Sequence, residues 1–441
     1  RDDREYVMSK VLEDLNFAGE HCFPVGENDC KGSEITKWAV LAFKSRVCLY
    51  EGTFRKYHSV NPSTNQPWNN QYGTADDFLQ AAVDAAEEVM KDSGSTLYND
   101  YHSLFVSTDL SQIPEVLWYR EYLSSESLNV WHDLTLQYNT ATASQKVSPT
   151  KTLMNMYLNT DGTPITNNGE VSLNDEFTDR DPRMAATVQC PGHQWTMTGP
   201  KPLRFTWTVT GYMFTKWNQE LEENYINGRN DNWIPILRYG EVLLNYAEAK
   251  AELNNGSLSK DDWDKTVGAL RIRAGVTNIY PEDASYKEDT WLKGYYAKAE
   301  GAAVTNLSNT ILEIRRERVT ELILEGLRAD DLYRWHCANL IVDRDGQQNG
   351  WKGLYLTADD VKNGFEFNGE KFTFTSSGTN DNNYMVGTNT SDNNWTISGG
   401  DHGYLIYHQA LIWDEKRYIR PIPTSALNKN PNLGQNYGWG Q

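Results

Sequence analysis

Apolar residues in the N-terminal part of the chain recur at helical spacing. Val7, Val11, Leu12 and Leu15 share one side of a stretch from Glu5 to Ala18, which predicts an amphipathic helix ended by a Gly/Pro/Cys loop. Ser33 then caps a second helix, Glu34 to Glu51. It is apolar on most faces (Ile35, Trp38, Ala39, Leu41, Ala42, Cys48, Leu49) and is expected to be largely buried and to stop at Gly52. A third starts at Thr74, where Asp77 completes a capping box, and carries Phe78, Ala82, Ala85 and Val89 along one stripe before Asp92-Ser93-Gly94 closes it.

The periodicity fades between residues 120 and 230. Thr, Asn, Gly and Pro there mix with Trp131, Trp195, Trp207 and Trp217, which predicts loops, short helices and a few short strands. It returns from Pro235-Ile236-Leu237 to Asn254, where Gly240, Ala247 and Ala251 form a small-residue stripe suited to close helix packing. Further helices are expected over Asp261 to Ala274 and over Thr310 to Trp335, the latter broken near Gly326. Residues 343 to 403 are again loop-rich, and 376 to 403 read as one long exposed loop holding Tyr384 and Trp395. Helix pairs joined by tight turns, without a strict period, point to a mainly α, tetratricopeptide-like helix-pair solenoid with long loop-rich insertions and few short strands.

Composition narrows the function classes. The 441 residues hold 60 Asp and Glu against 41 Lys and Arg, a formal net charge of −19 that disfavours nucleic acid and anionic lipid as partners. No apolar run approaches the roughly 20 residues needed to cross a bilayer. Five cysteines form no C-x-x-C pair, and only Cys22 and Cys30, which flank a Pro/Gly/Asn loop, look pairable. A bridge there would contribute roughly 2–3 kcal/mol in an oxidising compartment. The aromatic load is high, with 15 Trp and 25 Tyr, and both residues suit surfaces with one apolar and one wet side.

Common catalytic signatures are absent. There is no H-E-x-x-H, G-x-S-x-G, Walker A loop or G-x-G-x-x-G, and the eight histidines lack metal-ligand spacing. No cofactor is implied. Asn159-Thr160-Asp161-Gly162 has the look of a calcium loop without its alternate acids, so it reads as a solvated turn, with a structural calcium as the other reading. Glu321 and Glu325 sit one helical turn apart, a spacing compatible with a glycosidase pair. The arginines beside them would lower both carboxyl pKa values, the wrong direction for a general acid, so a structural ion-pair lattice is the preferred reading.

Three stretches carry a family resemblance. Pro235-Ile236-Leu237-Arg238-Tyr239-Gly240-Glu241-Val242-Leu243-Leu244-Asn245-Tyr246-Ala247-Glu248-Ala249-Lys250 looks like the signature helix of the SusD/RagB family. Glu317, Arg318, Glu321, Leu322, Glu325, Gly326, Arg328, Asp331, Leu332, Arg334 and Trp335 stand where that family has E-R-x-x-E-L-x-x-E-G-x-R-x-x-D-L-x-R-W. Tyr418-Ile419-Arg420-Pro421-Ile422-Pro423 and Asn430-Pro431-Asn432-Leu433-Gly434-Gln435-Asn436 are similar to its closing segment.

The resemblance implies a surface lipoprotein of the outer membrane that binds oligo- or polysaccharide without cleaving it and delivers it to a SusC-like TonB-dependent transporter. Peptides are the alternative cargo, and a glycosidase using Glu321 and Glu325 is the remote one. It further implies a single SusD-like domain over 1–441, with scaffold at 1–119 and 231–340, ligand-facing regions at 120–230 and 341–417, and a terminal motif at 418–441. An N-terminal stretch bearing a lipidated Cys is expected before Arg1. Glycan contacts are expected from His193, Trp195 and Trp207, in the loop before the Gly211-Tyr212 stretch, and from Trp395. Trp38, Trp263 and Trp335 fall at apolar helical positions and are expected in the core.

Overall fold

The computed structural model describes residues 2–123, 147–195, 199–200, 208–219, 230–299, 307–342, 350–375, 383–385, 395–408 and 412–440. Its scaffold begins with three helices, α1 (Arg4–His21), α2 (Lys37–Tyr57) and α3 (Ala75–Asp92). Thr36, not Ser33, caps α2 by accepting the Ala39 N–H at 3.1 Å. Gly52 lies inside this helix instead of ending it. A Cβ there would stand 2.7 Å from Leu79 Cγ and 3.0 Å from the Ala75 carbonyl, so the glycine is a close-approach point between α2 and α3. The capping box of α3 forms as its sequence predicts, with Thr74 and Asp77 each holding the other's backbone N–H.

Short helices α4 (Ser103–Val106), α5 (Lys151–Met156) and α6 (Pro182–Thr187) follow. The Pro235-Ile236-Leu237 stretch corrects the helical expectation. It belongs to strand β4 (Ile234–Arg238), antiparallel to β1 (Val116–Arg120), and the helix α7 (Tyr239–Leu253) starts only after it. Pro235 is tolerated because this ribbon has two strands, so each strand keeps an edge that needs no donor. One helix was expected over Asp261 to Ala274; Thr266, at φ −120° and ψ −96°, divides it into α8 (Lys260–Lys265) and α9 (Val267–Arg273). Then come α10 (Thr290–Ala297), α11 (Asn309–Leu322) and α12 (Arg328–Arg334), with the break between the last two at Leu324 and Gly326, both at positive φ.

Beyond residue 350 the chain is richer in strand than its composition suggests. Among the described residues, β5 (Gly350–Leu356), β10 (Gly403–His408) and β9 (Trp395–Ile397) form one antiparallel sheet. Strands β6 (Phe365–Phe367), β7 (Glu370–Thr375) and β8 (Asn383–Met385) form another.

Helix α7 sits at the junction of two cores. Leu79, Ala86, Val242 and Tyr246 join α3 to α7 in one, and Leu243, Ala247, Trp263 and Ile314 join α7 to α8 and α11 in the other. A third and larger cluster, including Met154, Tyr212, Tyr295, Trp335, Leu354 and Leu405, ties α5, α10 and α12 to the sheets. Trp263 and Trp335 are fully enclosed and Trp38 is half-buried at a core margin. Cys22 and Cys30 are free thiols.

Candidate functional site

Helix α11 is buried from Thr310 to Leu322 although much of it is charged. Its charges are matched from several directions. Arg183 Nη1 donates to Glu317 Oε1 at 2.6 Å and to Glu321 Oε2 at 2.7 Å. Arg238 Nη1 reaches Glu321 Oε1 at 2.6 Å, and Arg271 reaches both Glu313 and Glu317. Burial pushes the Glu321 carboxyl upward, but Arg273, Arg238 and Arg183 together hold it well below the usual carboxylate range. Glu325 is lowered in the same way by Arg238 and Lys216 against its own burial. A carboxyl held in its ionised form by arginines is poorly suited to hand a proton to a leaving group, so Glu321 and Glu325 read as members of a structural ion-pair lattice.

This lattice also positions an aromatic shelf. Asp289 caps α10 by accepting the Leu292 N–H at 3.0 Å and is itself held by Arg316 of α11. The cap fixes the first turn of α10, and the i, i+4 spacing brings Trp291 and Tyr295 together, ring centroids 5.9 Å apart and planes 13° from parallel. Facing them across a hollow of about 300 Å³ are Asn155 on α5, Asn168 and Glu170 on the loop after it, Lys352 on β5 and Tyr404 on β10.

Each opposing group is locally fixed. The Tyr404 hydroxyl lies 3.2 Å from Glu170 Oε1 and 3.3 Å from the Asn168 carbonyl. Lys352 Nζ stands 4.6 Å from the Tyr404 ring centroid. Asn155 Nδ2 donates to the Asn168 carbonyl at 3.0 Å, whereas its buried Oδ1 meets no donor among the described residues. Below them Lys151 is enclosed and paired with Glu176 at 2.5 Å, and Tyr212 donates to the other oxygen of the same carboxylate at 2.6 Å. Burial lowers the Lys151 ammonium against the pull of Glu176.

A second hollow of about 260 Å³ adjoins the first and shares Thr152, Tyr295 and Lys352 with it. Its walls are mostly apolar, with Leu153, Met156, Phe214, Val319 and Leu340, and Arg328 stands among them.

The tryptophans singled out from sequence are placed differently. Trp395 is half-buried on β9, its indole N–H donating to the Val209 carbonyl at 3.1 Å and its ring against the large core cluster. Trp195 is on β2 (Gln194–Trp195), which pairs with β3 (Gly199–Pro200). His193, half-buried, precedes β2, with its backbone N–H bonded to the Cys190 carbonyl at 3.1 Å. Trp207 lies outside the described residues. Sequence reasoning missed Trp291 and Tyr295; the signal was an Asp cap followed by two aromatics one turn apart.

The Asn159–Gly162 turn is closed by Asp161, whose Oδ1 accepts from the Thr163 backbone at 2.9 Å and from its hydroxyl at 2.6 Å. Among the described residues no group of three or more His, Cys, Asp or Glu side chains is arranged to hold a metal ion. None of the described helices is long and apolar enough to cross a membrane.

The chain matches the sequence profile of the SusD family over residues 114–439. It belongs to that family. Its fold is similar to that of a SusD-like carbohydrate binding protein from Bacteroides fragilis NCTC 9343, with TM-score 0.65 and 19% identity over 98% of this chain and 72% of that one. A second SusD-like protein of that strain aligns with TM-score 0.62 and 18% identity, over 100% of this chain and 72% of the other. A SusD homolog from Bacteroides thetaiotaomicron VPI-5482 gives TM-score 0.52 and 15% identity, over 99% and 71%. At such identities the likeness establishes fold alone. No protein with a curated description matches the chain.

Proposed function

We propose that this SusD-family protein binds oligo- or polysaccharide at the outer surface of the outer membrane and delivers it, uncleaved, to a SusC-like TonB-dependent transporter. The observation that carries the binding step is the Trp291–Tyr295 shelf set across a hollow from Asn155, Asn168, Lys352 and Tyr404. A sugar ring offers C–H groups on one face and hydroxyls at its rim, so an indole face and amide-bearing walls meet both needs. The carbohydrate binding described for the similar Bacteroides fragilis protein agrees with this cargo. Affinities in the micromolar to millimolar range, roughly −4 to −8 kcal/mol, suit a protein that must release what it binds. A lipid anchor upstream of Arg1 would hold it at the surface.

Affinity electrophoresis of the full-length native protein, through gels cast with plant, host and microbial polysaccharides, tests this reading. Retardation by a polymer, without release of reducing ends, is the expected result. Trp291→Ala is expected to abolish it; Trp195→Ala, Trp207→Ala and Trp395→Ala, run beside it, measure what the other aromatics add. No retardation by any polymer, with capture of oligopeptides instead, would overturn the reading in favour of peptide cargo.

A further inference from the structure

Most of the buried arginines around α11 are matched by carboxylates: Arg183, Arg238, Arg271, Arg316, Arg318 and Arg334 each donate to at least one. Arg328 is not. Among the described residues its hydrogen-bond partners are two phenol hydroxyls, Tyr296 at 3.4 Å and Tyr295 at 3.3 Å, both long for such bonds. Asp331, in the first turn of the same helix, is already held by Arg318 at 2.8 Å and by Arg334 at 2.8 Å. Arg328 therefore brings a guanidinium with spare donors to the wall of the second hollow, and no carboxylate stands among that hollow's described lining residues. Lys352 lines both hollows and adds a second cation at their junction.

A partly buried cation without an anion is unfavourable until a counter-charge arrives, and guanidinium matches carboxylate and sulfate oxygens in a two-pronged fashion. The chain as a whole carries −19, so a cationic hollow opposes the surrounding field and selects for ligands that bring their own negative charge to this one place.

We propose that the glycan bound at the Trp291 shelf is an acidic one, and that the adjoining hollow receives its anionic substituent, a uronate carboxylate or a sulfate ester, on Arg328 and Lys352. This rests on the glycan-binding reading above and narrows it. Trp291, partly buried with Tyr295 packed beside it, takes the ring of one sugar, and Lys352, shared by the two hollows, marks where the charged group of that sugar or its neighbour crosses over. The apolar walls around Arg328 exclude water from the ion pair and raise its selectivity over neutral sugars.

The test pairs polymers that differ in charge alone. Full-length protein is run through gels containing polygalacturonate or its methyl ester, and dextran sulfate or dextran, with polyglutamate as an acidic peptide. Retardation by an acidic polysaccharide and not by its neutral counterpart, weakening with added NaCl, is expected. The polygalacturonate and dextran sulfate arms separate carboxylate from sulfate. Arg328→Gln and Lys352→Gln are each expected to weaken that binding roughly tenfold or more, with Arg328→Lys recovering part of it. Lys352→Gln decides the matter if Arg328→Gln does not fold.

Equal retardation by charged and neutral polysaccharides, or acidic binding untouched by Lys352→Gln, would overturn this inference while leaving the glycan reading intact. Retardation by polyglutamate alone would overturn both, and retardation by none of these polymers would overturn this inference.

Discussion

Arg334 and Glu248 meet in a two-pronged ion pair, Nη1 to Oε1 at 2.5 Å and Nη2 to Oε2 at 2.6 Å, which locks α12 onto α7. Both side chains are enclosed, and the Trp335 indole N–H donates to the same carboxylate at 2.6 Å. Removing Glu248 leaves two buried guanidiniums, Arg334 and Arg318, to share the single carboxylate of Asp331, so Glu248→Ala is expected to cost about 3–5 kcal/mol, read from urea unfolding. Exposed pairs such as Lys10–Glu13 should cost less than about 1 kcal/mol in the same assay.

Glu321→Gln separates structure from catalysis. The substitution removes the counter-charge that Arg183, Arg238 and Arg273 share. A fall of several kcal/mol in stability is expected, on the order of that for Glu248→Ala, with no polysaccharide hydrolysis in either form. Hydrolysis by the wild type that the variant loses while staying folded would contradict this.

Gly169 is required by the site. Its φ of +70° is in the left-handed region, and a Cβ would stand 2.5 Å from Asn155 Oδ1 and 2.9 Å from Lys151 Cε. Gly169→Ala is expected to cost about 1–3 kcal/mol and to weaken glycan binding by displacing Asn155. Thermal melts and gel retardation on one preparation measure both.

Acid should loosen the packing at the end of α2. His58 stacks on His336 with centroids 4.2 Å apart, and its Nε2 lies 2.9 Å from the Tyr333 carbonyl. Burial, aided by the neighbouring His336, lowers the His58 imidazole from 6.5 to about 3, against the opposing pull of Glu415. The unfolded chain therefore takes up this proton before the folded one does. The resulting stability is complete above about pH 6.5 and declines toward pH 3, by up to about 1.4 kcal/mol per pH unit. Unfolding measured across that window should show the slope, and His58→Gln should flatten it.

Local chemistry made much of the scaffold legible. Thr74 with Asp77, and Gly326 at a helix break, act within a few residues of themselves, so their pattern is their explanation. Pro235-Ile236-Leu237 misled because a short apolar run fits helix or strand equally well, and its pairing partner, Val116–Arg120, lies far away in sequence. Gly52 misled for the same reason: its role is set by Leu79 on another helix. The cleft was the least legible part. Asn155, Trp291, Lys352 and Tyr404 come from four separate stretches, and none carries a motif on its own.

Helix α11 cannot be partly docked at low cost. Its arginines and glutamates answer to Arg183 before the signature helix, Glu248 within it, Arg271 after it and Asp331 beyond. Withdrawing any one of these elements strands a charge in a dry interior, so intermediate openings are disfavoured and the scaffold should unfold as one unit. That all-or-none behaviour limits proteolytic cleavage to surface loops and leaves the interior out of reach.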